Sequence, residues 1–468
     1  MKKTGSIFFL FILISMGLSA QTITGDWYGT LTLQGIKLRI IFHITEAEGA
    51  LSATLDSPDQ GAKGLPVSEI TFMDNLLSIK MPNLMLEYSG KPNEDFTIIE
   101  GNFKQGGLNM PLNLSRENEE RQTFKRPQEP EKPYPYYEEE VTFKNERADI
   151  ELAGTLTLPS PEGQHPVAIL ITGSGAQNRD EELLGHKPFL VIADYLTRKG
   201  VGVLRYDDRG VDKSTGDFGT ATTADFATDV AAAVAYLKTR KEVKIDQIGL
   251  IGHSEGGMIA PMVASKSEEV SFVILLAGPG VPITELMAKQ LELISLAQGE
   301  SKESVQEDLE VMGKAYEMIK KSKDIEKLKI ELADYFELEY EKASPEDQAN
   351  LGEKEVFIPE TVKTLTTPWF IYFMKFDPSP YLKMTKCPVL AVNGEKDLQV
   401  DAMQNLGGIQ TALRAGGNNQ FVIKEFPNLN HLFQNCETGA PSEYAQIEET
   451  FSEEVLKVMA DWIMKMTE

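Results

Sequence analysis

Between Lys244 and Ser265 the chain reads KIDQIGLIGHSEGGMIAPMVAS. A run of β-type residues passes through Gly252, His253, Ser254, Glu255 and Gly256 into small and apolar residues at helical spacing. A strand that turns directly into a helix calls for a parallel sheet with helical crossovers. The neighbouring sequence repeats the alternation. VTFKN, IELAGTLTLP and PVAILITGSG read as strands, KPFLVIADYLTRKG as a helix, VGVLRYDD as a strand and ATTADFATDVAAAVAYLKTR as a helix, and VSFVILLAGPG follows the Ser254 unit as a further strand. This is the pattern of a doubly wound α/β sheet covered on both faces. It is interrupted from Ile283 to about Tyr381 by a mostly helical, charge-dense insertion of the kind that caps an active site. It then resumes with PVLAVNGEKD, FVIKEFP and a terminal helix around FSEEVLKVMADWIMKM. Residues 141–468 are read as this α/β region, with the cap insertion at about 283–381.

A different period governs the amino-terminal part. From Thr22 to Ser115, short stretches such as WYGTLTL, KLRIIFHIT, ALSATLD, LLSIKM and FTIIEGNF alternate or run apolar between turn residues. Residues 21–115 are therefore expected to form a small all-β domain, a barrel or a sandwich, with Trp27 as a core plug. Residues 116–140, RENEERQTFKRPQEPEKPYPYYEEE, are charged and proline-rich and read as a semi-rigid linker.

The first twenty residues carry two lysines, an apolar run from Ile7 to Leu18 and small residues at Ser19 and Ala20. They read as a signal peptide, so the mature chain is expected to be exported, periplasmic or secreted, with no membrane span after cleavage. The formal charge of −25 becomes −27 without those two lysines. Such a balance disfavours nucleic acid and anionic membranes as partners. Cys387 and Cys436, the two cysteines, are expected as free thiols, because a buried strand of about 17 Å separates the ends to which they attach. No Cys/His spacing calls for a metal, and nothing calls for a cofactor.

In the strand-to-helix setting, Gly-x-Ser-x-Gly has a mechanical reason. The glycines at 252 and 256 let a strained serine stand clear of the turn, and the following amide, that of Glu255, points to where an oxyanion develops. A serine nucleophile needs a base, which follows it in this architecture, with the acid between them. His43, His165, His186 and His253 all precede Ser254, so His431, in FPNLNHLFQ, is the one that remains. The acid should end the preceding strand, which selects Asp397, while Glu395 and Asp401 read as solvated charges. The second oxyanion donor should come from ITGSGAQNRDEE, as the amide of Ser174 or Gly175. Arg179 and Asp180 read as lining the entrance or as solvated, and Asp208, Arg209 and Ser214 as braces. His253 reads as packing behind the site.

With these residues in place, the stretches ITGSG, DDRGVDKS, GHSEGG, NGEKD and NLNHLF together resemble the α/β-hydrolase superfamily, nearest to its bacterial prolyl-oligopeptidase-like, dienelactone-hydrolase-like and cinnamoyl-esterase-like branches. The resemblance runs from about Val141 to the carboxyl end apart from the insertion, and does not cover residues 21–115. It implies a Ser254–His431–Asp397 triad. One departure is Asp212, where relatives carry glycine. The function expected is that of an exported carboxylesterase working through an acyl-enzyme on small-molecule or carbohydrate-linked acyl esters. One alternative is a prolyl-oligopeptidase-like peptidase, although the amino-terminal region is too short for that family's propeller. The other is a ligand-binding protein with an inactive hydrolase half.

Overall fold

The computed structural model describes residues 22–33, 36–47, 49–60, 62–105, 108–117 and 124–468. The expected signal peptide lies outside them. Among the described residues no helix is long and apolar enough to cross a membrane.

The strands richest in Val, Ile and Leu are buried on both faces, as parallel strands between two helical layers must be. Phe272–Leu276 and Val389–Gly394 are buried at every position. The sheet has eight strands, in the order Tyr137–Asn145, Ile150–Leu158, Gly202–Tyr206, His165–Ile171, Val243–His253, Phe272–Leu276, Val389–Gly394 and Phe421–Phe426. The first two pair antiparallel, Ile150–Leu158 also runs antiparallel to Gly202–Tyr206, and the other pairings are parallel. Pro188–Arg198 and Glu453–Thr467 close one face through Phe189, Ile192, Met459 and Ile463. Thr223–Lys238, Gly256–Ala264 and Ala402–Ala415 close the other through Val230, Ile259 and Leu406. The predicted doubly wound sheet is thus the observed one.

The insertion leaves after Phe272–Leu276 and returns at Val389–Gly394 as the helices Ile283–Ala297, Lys302–Lys321, Ile325–Lys342, Pro345–Leu351, Lys354–Leu365, Pro368–Met374 and Ser379–Met384. Its helical part therefore runs three residues beyond the expected end at Tyr381. Leu332, Phe336, Phe373 and Met374 form its core, which continues into the α/β region through Met258 and Met262.

The described residues between Gly25 and Ser115 form one antiparallel sheet of ten strands. Phe42 and Tyr88 lie on strands that three others separate, yet their rings are 5.5 Å apart, so the sheet is curled into an open barrel around its core. Trp27 is fully buried there, and its Nε1 donates to Ile23 O at 2.7 Å. The strand Ala62–Pro66 was not expected. Gly64 and Pro66 hide it, since neither is a strand-forming residue.

Two expectations about the linker change. Tyr137–Glu140 already belong to the first strand of the α/β sheet. Residues 124–136, read as a spacer, are fastened down instead. The Arg126 guanidinium donates to the carbonyls of Leu184, Gly185, Ala445 and Ile447, and Gln128 bonds Thr450 and Phe451. The barrel also reaches the insertion, where Lys104 pairs with Glu360 at 3.3 Å. Free thiols are found at Cys387 and Cys436, and burial pushes both up to about 11.

Truncation of Arg126 removes the donor to the backbone carbonyls of four residues distant in the chain. Arg126→Ala should lower stability by about 2 kcal/mol, the scale for hydrogen bonds to a charged group. The check is the urea midpoint of the variant beside wild type and Arg126→Lys, which should recover part of the loss.

Candidate active site

The strand Val243–His253 ends at the carboxyl edge of the sheet, and the helix Gly256–Ala264 starts two residues after Ser254. Ser254 sits at φ +51°. This left-handed conformation costs a non-glycine residue on the order of 1–3 kcal/mol and persists only where its surroundings impose it. The glycines on either side show why it is imposed. A Cβ on residue 252 would lie 2.0 Å from Gly256 O, and one on residue 256 would lie 2.2 Å from Ile171 O. Ser254 N donates to Leu276 O at 2.9 Å, while Glu255 N has no protein acceptor among the described residues. That free amide stands at the start of the helix, where the peptide dipoles favour negative charge.

His431 lies in the loop after Phe421–Phe426, a turn in which Asn430 Oδ1 accepts from the amides of Leu432 and Gln434, each at 3.0 Å. Its Nδ1 is 2.8 Å from Asp397 Oδ2, and both side chains are buried. Asp397 follows Val389–Gly394 by three residues, and its Oδ1 accepts from Gln399 N at 2.8 Å and Val400 N at 2.9 Å. Those two bonds fix the carboxylate that fixes the ring. Asp401 has a different place, as the N-cap of Ala402–Ala415 with Gln404 N donating to it at 2.8 Å. Glu395 is exposed and accepts from Asn428 N.

Ser254 and His431 line one cavity of about 260 Å³. Nδ1 is taken by Asp397, which leaves Nε2 as the remaining ring nitrogen. No hydrogen bond joins the Ser254 hydroxyl to His431 in this structure, and such contacts commonly tighten only around substrate. Ser174 lines the same cavity, whereas Gly175 does not. The amide of Ser174 has no protein acceptor among the described residues, while that of Gly173 is taken by Glu181 Oε1 at 2.7 Å. Leu286, Met287, Trp369 and Phe370 complete the wall from the insertion. Among the described residues no group of three or more His, Cys, Asp or Glu is arranged to hold a metal ion.

The side chains of two acids around this cavity have ties that the sequence does not show. Glu255, buried beside Ser254, accepts from Thr223 Oγ1 at 2.6 Å and from Trp369 Nε1 at 3.0 Å. Burial raises its carboxyl above the usual range against the pull of those donors. It ties the elbow to the insertion helix Pro368–Met374. Glu181 Oε1 is 3.0 Å from His253 Nδ1, and His253 Nε2 is 3.0 Å from the carbonyl of His431. A carbonyl only accepts, so Nε2 carries a proton, and a second proton is shared between Nδ1 and the carboxylate. Burial alone lowers the His253 imidazole, but the Glu181 charge, its hydrogen bond and the His431 carbonyl outweigh it and hold the ring above 6.5. Nothing local in the sequence marks Glu181, which stands 73 residues before Ser254.

The outer loops are corrected in part. Arg179 does not line the entrance. It is buried, 2.6 Å from Asp207 and 2.8 Å from Glu140, and Asp180 pairs with Arg205. Asp208 accepts from Thr172 Oγ1 and Gln177 N, Arg209 pairs with Asp229 at 2.7 Å, and the Ser214 hydroxyl donates to Asp207 O, all of them bracing contacts. Asp212 sits at φ +45°, a left-handed position that glycine fills at no cost and that aspartate tolerates better than most residues.

Residues 188–334 match the family model described as serine aminopeptidase, S33. The esterase EstD of Thermotoga maritima is 26% identical over 366 residues, 78% of each chain. A putative carboxymethylenebutenolidase of Synechocystis is 30% identical over 148 residues, 30% of this chain and 59% of that one. Among solved structures, the Pyrococcus furiosus esterase Pf2001 has a TM-score of 0.41 at 15% identity, covering 70% of this chain and 93% of its own. Est1E from Butyrivibrio proteoclasticus has a TM-score of 0.39 at 15% identity, covering 70% and 98%.

The His253 pair makes a prediction with a definite sign. A histidine raised by folding contributes stability in full below its unfolded value near 6.5, and that contribution is lost as pH rises through the higher folded value. The melting-temperature deficit of Glu181→Gln relative to wild type should therefore be largest near pH 6 and shrink toward pH 9. Melting curves across that range check it, and a constant deficit would contradict the charged pair.

Proposed function

The chain belongs to the α/β-hydrolase superfamily, and from that premise we propose that it is an exported carboxylesterase with Ser254 as nucleophile, His431 as base and Asp397 as the acid that orients the base. The observation that carries the reading is the strained Ser254 turn, with the unbonded amides of Glu255 and Ser174 beside it, facing the cavity that also holds the Asp397-bound His431. Its relative EstD is named an esterase.

In the proposed reaction Ser254 Oγ attacks the ester carbonyl carbon and its proton passes to His431 Nε2. The negative charge on the former carbonyl oxygen is met by the amides of Glu255 and Ser174. The carbon–oxygen bond to the alcohol breaks as His431 returns the proton to the leaving oxygen, which gives the acyl-enzyme. Water, deprotonated by His431, then attacks the acyl carbon and releases the acid. Asp397 stays ionised and holds Nδ1–H, so that Nε2 is the basic atom. The helical insertion acts as a cap whose Leu286, Met287 and Phe370 contact the acyl group. Export would bring the enzyme to esters of sugars, plant phenolics or other extracellular material.

The matched family model suggests a second reading, an aminopeptidase. Such an enzyme needs a carboxylate free to hold the substrate's ammonium group. Glu181 and Glu255 are the acids that line the cavity; the charge of Glu181 already faces the His253 ring, which with the Gly173 amide meets its Oε1, and Glu255 accepts from Thr223 and Trp369. This supports the ester reading.

The substrate test compares p-nitrophenyl acyl esters with aminoacyl-p-nitroanilides. Ester kcat/KM should exceed anilide kcat/KM by orders of magnitude, and the reverse ranking would sink the proposal. The acid is tested by two variants. Asp397→Asn should lower kcat/KM by about 10⁴-fold, the scale for loss of the orienting carboxylate. Asp401→Ala should cost about 1 kcal/mol of stability, as a lost helix cap, and leave turnover nearly intact.

A further inference from the structure

The Ser254 cavity is not the largest opening near the oxyanion loop. A cleft of about 400 Å³ lies between the barrel and the α/β region. Its floor is Leu55, Leu86 and Phe103 from the barrel core. Half-buried Leu65, Leu84 and Met85 form one wall, and Val211 and Phe218 the facing one. Packed interiors leave few voids larger than a water molecule, whereas ligand sites fall in this size range, favour domain junctions and are mostly apolar with a few polar groups. Met85 stands at φ +50°, a conformation uncommon for a residue with a side chain. Met is also the most adaptable apolar lining residue.

The polar groups of the cleft are Ser57, Gln60, Lys63 and Gln105 on the barrel side and Asn178 and Asp212 on the α/β side. Lys63 is exposed at its edge and has no acidic partner among the described residues. Gln60 is already engaged as the acceptor of the Ser57 hydroxyl. Asp212, the one acid of the lining, stands beside Val211 on the α/β side, so an anionic end can be met only by Lys63 on the barrel side, and an apolar trough with an ammonium group at that rim matches an aliphatic chain that ends in an anion.

The cleft and the Ser254 cavity share one wall. In the loop after His165–Ile171, Gly173, Ser174 and Gln177 line the Ser254 side, and Gly175, Ala176 and Asn178 line the cleft. The loop is pinned at one end by the bond from Gly173 N to Glu181 and at the other by the bond from Gln177 N to Asp208. Between those pins the amides of Ser174, Gly175 and Ala176 have no protein acceptor among the described residues.

We propose that this cleft is a second ligand site, separate from the Ser254 cavity, that binds a single-chain aliphatic carboxylate with its chain between Leu84, Met85 and Phe218 and its head group at Lys63. The occupant lies against the outer side of the segment whose inner side carries the Ser174 amide. The assignment does not rest on the esterase reading, because it needs no turnover.

The test is a fluorescence titration of the full chain with cis-parinaric acid, a polyene fatty acid. Saturable binding at one site per chain is expected. Leu65→Trp and Val211→Trp, which fill the cleft from opposite walls, should each weaken it at least tenfold. Met287→Trp, which fills the Ser254 cavity, should leave it unchanged. Lys63→Glu should weaken it several-fold, and Lys63→Arg should restore it. Melting curves identify any variant that fails to fold, and the two cleft-filling positions keep the test open if one does. The proposal is overturned if Met287→Trp abolishes binding while a folded Val211→Trp or Leu65→Trp leaves it intact, if binding does not saturate, or if Lys63→Glu has no effect.

Discussion

The contact on which the rest depends is that between the Ser254 turn and the end of the neighbouring strand. Residue 256 lies so close to Ile171 O that a single added carbon would stand 2.2 Å from it. The turn is wedged between the ends of His165–Ile171 and Phe272–Leu276, and Ser254 N is anchored on Leu276 O. A backbone fixed at both sides cannot relax, so Ser254 is held at φ +51° with its neighbours' amides unspent. The strain is affordable because the strands beneath it are buried throughout and packed on both faces by helices.

Around that turn, two short chains of contacts set the geometry. Asp397 fixes the ring of His431, and the His253–Glu181 pair joins the carbonyl of His431 to the amide of Gly173. The loop of the proposed base and the loop of the proposed oxyanion donor are therefore linked through one buried imidazole. Glu255 makes the corresponding link to the helical insertion through Trp369. The carboxylates that line the cavity serve as structural ties, Glu181 to the His253 ring and Glu255 to Trp369, which is why the ester reading is preferred over the aminopeptidase one.

What was legible in the sequence was whatever local pattern dictates. Period and composition marked the eight strands of the α/β sheet, the helical insertion and the glycines about Ser254, and chain order alone separated His431 from four other histidines. Asp397 was distinguishable from Asp401 because it falls at the end of a buried strand. Contacts between distant segments left no such mark. Glu181 meets His253 across 72 residues, and Arg126 meets Ala445 across 319. Arg179 was misread for the same reason, since its partners Asp207 and Glu140 lie on other strands or loops. The strand Ala62–Pro66 escaped because pairing with Ala50–Ser57, rather than its own residues, makes it a strand.

The central claim is that Ser254 is the nucleophile, and covalent labelling tests it most directly. The folded enzyme is treated with a fluorophosphonate, digested, and its peptides are mapped by mass spectrometry. One equivalent bound at Ser254, with complete loss of ester turnover and no labelling of Ser254→Ala, is the predicted result. An adduct at another serine, or full turnover by an enzyme labelled at Ser254, would contradict the account.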